Sequence, residues 1–110
     1  MAKEYFARLS SLVNALNIEA DVASPMEVKH FFSGAALCVN GTICVSYSPV
    51  GLAFKLTQSE VIKLIESGRA KPLRYFPKGH VEKGYALFAD PDLTKPLQWR
   101  EFFLEAIQQI

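Results

Sequence analysis

Cysteine and histidine are scarce in this 110-residue chain, two of each. A structural zinc site needs four ligands, and neither His30 nor His80 lies at ligand spacing from a cysteine pair, so no metal or other cofactor is expected. No apolar run nears the length of about 20 residues that spans a bilayer, and the N-terminus enters a charged amphipathic pattern with no apolar leader core. A cytoplasmic protein without membrane contact is therefore expected. Neither sign of charge is in excess, with 12 basic and 11 acidic side chains, which argues against a highly charged binding tail or a disordered chain. Gly-rich phosphate cradles are missing too: Lys78-Gly79-His80 and Glu82-Lys83-Gly84 lack the strand, glycine spacing and helix such loops require. No local motif pairs His30 or His80 with Cys38, Cys44 or a serine, as an activated nucleophile would need. His80 could serve as an acid or base only if a partner converged on it, and the same holds for Glu82 and Arg74. No catalytic residue is assigned and no enzyme is expected.

What the chain does have is grease: half its residues are hydrophobic, enough for one domain over 1–110 to bury a core without metal or disulfide staples. Asn40-Gly41 separates two runs of β-branched and aliphatic residues, the strongest short-range hairpin signal, because a type I′ turn needs positive φ at both central positions. Ser48-Pro49-Val50-Gly51 marks a second turn, so the stretch up to Lys55 reads as a three-strand antiparallel meander. A two-residue turn sets Val39 opposite Thr42, Cys38 opposite Ile43 and Leu37 opposite Cys44. One face then collects Ala36, Cys38, Ile43, Val45 and Tyr47, and the other Ala35, Leu37, Val39, Thr42, Cys44 and Ser46. Cys38 and Cys44 fall on opposite faces and cannot bridge; they read as buried, reduced thiols. Neither face is polar, so both should be covered, one by helices and the other by a returning helix or by a second copy in a homodimer.

Tyr5, Phe6, Leu9, Leu12, Val13 and Leu16 recur at spacings of three and four and predict a helix over Lys3–Asn17. Pro25 bars its continuation. Met26–Phe32 reads as a strand running on into Ala35–Val39, with Gly34 absorbing a bend. Thr57-Gln58-Ser59-Glu60 has capping-box spacing and opens a short helix with Val61, Ile62, Leu64 and Ile65 on its buried side and Gly68 just past its end. Lys71–Phe76 and Tyr85–Phe88 are strands joined by an exposed connection over 77–84. A last helix begins near Pro96 and carries Trp99, Phe102, Phe103, Ala106, Ile107 and Ile110 across the sheet. The fold class is thus α+β, an antiparallel sheet with helices packed on it.

Residues 55–83 hold seven basic and three acidic side chains, a local net charge of +4. Lys55, Lys63, Arg69, Lys71 and Arg74 could form a patch binding nucleic-acid phosphates. The plainer reading is a solvated face balanced by acidic groups elsewhere.

Lys29-His30-Phe31-Phe32-Ser33-Gly34, Leu37-Cys38-Val39-Asn40-Gly41 and Leu52-Ala53-Phe54-Lys55, followed by Phe76-Pro77, Tyr85, Ala89-Asp90-Pro91 and Trp99, resemble the N-terminal domain of TfoX/Sxy proteins, bacterial regulators of competence. Phe31, Ser33, Ala35 and Ala36 depart from that family's pattern. The resemblance spans about residues 25 to 107 and implies a secretion-chaperone-like α-β(3)-α-β(2)-α arrangement. It also implies a regulatory or adaptor role without enzymatic activity, through contact with a transcription factor such as the cyclic-AMP receptor protein. Lys29, Lys78, His80 and Lys83 are the partner-binding residues this reading selects, and nucleic-acid binding by the 55–83 segment is the alternative.

Overall fold

Asn40 and Gly41 adopt φ of 52° and 81°, the left-handed pair that a two-residue turn between right-twisted strands demands. The computed structural model describes residues 2–22, 25–31, 34–73, 82–89, 91, 94 and 96–109. Within them run α1 (Ala2–Ala15), β1 (Met26–Phe31), β2 (Gly34–Val39), β3 (Thr42–Ser48), β4 (Gly51–Lys55), α2 (Gln58–Glu66), β5 (Lys71–Leu73), β6 (Glu82–Phe88) and α3 (Arg100–Gln108), with single 3-10 turns at Ile18–Asp21 and Pro96–Trp99. The six strands form one antiparallel sheet in the order β1-β2-β3-β4-β6-β5. The architecture is α+β, with helix, strands, helix, strands and helix in succession, as the residue pattern predicts.

Three local expectations need correction. Met26–Phe31 does not run on into Ala35–Val39 but folds back antiparallel upon it, with Phe31 opposite Gly34. Gly34 accordingly serves close approach rather than a bend, since a Cβ there would overlap the Tyr47 carbonyl oxygen and lie 2.7 Å from Ser48 Cα. The second concerns register. Val39 and Thr42 pair, as do Cys38 and Ile43, but Leu37 then faces Val45 instead of Cys44, because Cys44 is the extra residue of a β-bulge. The bulge carries Val45 and Tyr47 to the face that holds Ala35, Leu37 and Val39, and sends Ser46 to join Ala36. Third, β6 starts at Glu82, so Glu82, Lys83 and Gly84 belong to a strand and not to the connection. Residues 74–81 and Ile110 lie outside the described residues.

The predicted cap holds. Thr57 Oγ1 accepts from the Glu60 amide at 3.3 Å, and α2 closes in a Schellman motif, with Gly68 at φ 79° donating to Ile65 and Arg69 donating to Leu64. Val61 and Leu64 are buried, whereas Ile62 is 45% exposed, off the face it was expected to join.

All the buried helix side chains belong to one cluster with Leu37, Val45, Leu52 and Phe54, so the described helices share one face of the sheet. Phe54 is its hub. Its ring meets Phe103 edge-on at 5.1 Å and Phe88 edge-on at 6.0 Å, and stacks with Trp99 at 6.1 Å, geometries that add to simple burial. Arg100 Nε donates to the Leu16 carbonyl at 3.2 Å, tying α3 to the end of α1. The opposite face is paved with small residues. Ala36, Cys38, Ser46 and Ala53 are all buried there, beside a second cluster of Ala53, Leu73 and Leu87. That burial occurs within a single chain, in keeping with the expectation that neither face is left open over these residues.

Phe54→Ala is expected to cost about 3 to 5 kcal/mol and Thr57→Ala about 1 kcal/mol, read as changes in urea denaturation midpoint at unchanged slope.

Candidate functional site

Register decides what the predicted charged residues can do together. Lys29 pairs across the sheet with Ala36, Ala36 with Ser46, Ser46 with Ala53, Ala53 with Leu87 and Leu87 with Lys71. One cross-strand row thus runs from Lys29 at one edge to Lys71 at the other, on the face away from the helices. Lys55, opposite Tyr85 and half-buried, belongs to the same face. Lys63 and Arg69 instead lie on α2 and just after it, on the helical side, where the Arg69 guanidinium sits 6.0 Å from the Phe102 ring centroid. Arg69 also borders a shallow cleft of about 320 Å³ with Phe88, Gln98, Trp99 and Phe102. Lys55 and Lys71 are therefore divided from Lys63 and Arg69, on opposite sides of the sheet. Arg74, Lys78 and His80 lie outside the described residues; Lys83 has its backbone in β6.

The edge formed by β1 is the feature that concatenating it with β2 concealed. Ser33-Gly34 is a turn-forming dipeptide, and it was the signal available for separating the two strands. Among the described residues, β1 has a hydrogen-bonded neighbour on one side only. The Asn40 amide donates to the Pro25 carbonyl at 3.1 Å, and the alternation of antiparallel ladders then directs Glu27 and Lys29 backbone groups toward β2 and those of Val28 and His30 outward. Exposed Glu27 and Lys29 side chains stand 3.5 Å apart as an ion pair, on the face away from the helices. Val28 packs against the core, and His30 stacks on Phe6 of α1 with ring centroids 4.7 Å apart. The second edge strand, β5, has three residues and contains Pro72, which removes one donor.

Both cysteines are free and buried. Burial pushes the Cys38 thiol up from its ordinary value, against the opposing pull of Lys29. Cys44, fully buried in the bulge with its Sγ 3.5 Å from the Leu37 carbonyl oxygen, is pushed up to about 12, chiefly by desolvation and further by Cys38. Both shifts disfavour the thiolate, the reactive form. Among the described residues, no three His, Cys, Asp or Glu side chains converge as metal ligands, and no helix is long and apolar enough to cross a membrane.

Comparison with family models, curated proteins and solved structures gives no match for the chain.

The thiol in the bulge makes stability pH-dependent. Its folded value near 12 exceeds the ordinary 9.0, so above pH 9 the native state keeps a proton that the unfolded chain releases. The contribution is complete below pH 9 and declines as pH rises toward 12, with a limiting slope of about 1.4 kcal/mol per pH unit. Cys44→Ala should show a shallower loss of urea stability than the unmodified protein between pH 9 and 11.

Proposed function

We propose that this chain is a small adaptor domain that acts by protein contact and not by catalysis, in the manner that its resemblance to the TfoX N-terminal domain implies. The observation that carries the reading is the edge that β1 presents, among the described residues, at Val28 and His30. It offers the outward backbone groups of Val28 and His30 to an extended segment of a partner, the arrangement in which main-chain hydrogen bonds give affinity and alternate side chains give specificity. Glu27 and Lys29 stand beside that edge, as charges do on natural edge strands that must not pair indiscriminately. Lys29 is thus the predicted partner-binding residue that this geometry favours. The other edge is poorly suited, being short and interrupted by Pro72. Family likeness points to a transcriptional regulator as the partner class and to the bacterial cytoplasm as the place.

Nucleic-acid binding draws less support, because Lys55 and Lys71 face away from Lys63 and Arg69 and cannot track one phosphate backbone together.

Immobilised protein exposed to bacterial lysate at low salt should retain a specific protein. His30→Ala should retain it as well, whereas His30→Pro, which removes an outward N–H from the same position, should lose it. Failure of the unmodified protein to retain any specific partner, or equal retention by the proline variant, contradicts the edge reading. Labelled duplex DNA should show no saturable binding at about 50 mM salt; binding that weakens steeply as salt rises would favour the alternative.

A further inference from the structure

At the end of the sheet remote from the Asn40-Gly41 turn, α1 passes over β3 and leaves a cleft of about 510 Å³, within the size range of small-molecule sites. Tyr5 and Arg8 of α1, Tyr47 and Ser48 of β3, and Pro49 and Pro91 supply most of its lining, closed by Gly51 and Ala89. The floor is tightly built, since a Cβ on Gly51, which sits at φ 133°, would overlap the Phe88 carbonyl oxygen and lie 2.8 Å from Ala89 Cα. Tyr5 and Tyr47 meet edge to face with centroids 5.0 Å apart, so the aromatic wall is fixed in orientation.

The polar groups of this cleft are incompletely used. Arg8 lines the cleft together with Tyr47, and its guanidinium lies 3.8 Å from Glu4, a neighbour one helical turn back whose side chain is half exposed. A guanidinium has five N–H donors in a planar fork, so this one contact leaves donors available. Arg8 is the one cation among the lining residues given above, and Glu4 already offsets part of its charge. The balance suits a single negative charge and not a phosphate dianion.

We propose that the cleft binds a small organic monocarboxylate, its carboxylate on the Arg8 guanidinium beside the Tyr47 hydroxyl and its apolar body against Tyr5, Pro49 and Pro91. The fork geometry of arginine matches a carboxylate through two parallel hydrogen bonds, and the proline and tyrosine surfaces give the remainder of the ligand a dry wall. This site lies apart from the β1 edge and stands or falls independently of the adaptor reading.

Benzoate is a suitable probe, with benzamide as its neutral counterpart and inorganic phosphate as the dianionic one. In amide chemical-shift titrations, benzoate should move Tyr47, Ser48, Gly51 and Ala89 with a Kd on the order of 1 mM. Benzamide and Arg8→Gln should each weaken binding by about tenfold or more, and phosphate should leave these signals in place. Arg8 has a side chain 56% exposed, so its glutamine variant should keep the urea midpoint of the parent, which separates loss of binding from loss of fold. Absence of benzoate shifts, equal binding of benzamide, undiminished binding by the variant, or phosphate binding as tight as benzoate would each overturn the proposal.

Discussion

A single extra residue in β3 governs how this chain meets itself. Cys44 enters the ladder unopposed, and the two residues after it that carry bulk, Val45 and Tyr47, turn toward the helices. Without that insertion the strand would present Ser46 to the core and aim Tyr47 at the opposite face, because a one-residue slip inverts every following side chain. With it, Val45 stands across from Leu37 and Phe54, and the aromatic hub around Phe54 closes over a continuous apolar layer. The thiol is small and apolar enough to be tucked inside the core at the bulge, and its carbonyl contact with Leu37 gives it a weak partner there.

The two faces that result are unlike. The helical face packs large side chains from three helices against the strands, while the other runs Ala36, Ser46 and Ala53 across the middle strands between Lys29 and Lys71. The charged residues of that row stand at its two ends. The same division separates the two surfaces to which functions are assigned. Among the described residues, the outward backbone of Val28 and His30 lies at one edge of the sheet, and the arginine-bearing cleft lies at its end, where α1 crosses Tyr47.

Much of this arrangement was legible in the residues. Asn40-Gly41 specified its turn by backbone chemistry alone, Thr57 and Gly68 bracketed α2 by capping chemistry, and the spacing of Trp99, Phe102 and Phe103 put one aromatic face on the terminal helix. These signals are local, which is why they survive folding unchanged. The bulge was not legible, since Cys44 and Val45 are both compatible with a plain strand and only the choice of core face distinguishes them. The edge at β1 had only Ser33-Gly34 to mark it, because strand-like composition on either side of residues 32–33 hides a reversal. Ile62 was misassigned for a related reason: apolar character does not ensure burial near the margin of a short helix. The cleft was invisible because Arg8 and Tyr47 are brought together only by the slipped register, 39 positions apart in the chain.

The bulge is the claim on which the helical face, the hub and the cleft all turn, and nuclear Overhauser contacts from the Tyr47 ring test it most directly. Cross-peaks from Tyr47 to the ring protons of Tyr5, together with contact between the Leu37 and Val45 backbones, are the predicted result. Cross-peaks from Tyr47 to Ala36 and Cys38 side chains, with Leu37 opposite Cys44, would contradict it and place the tyrosine on the wrong side of the sheet.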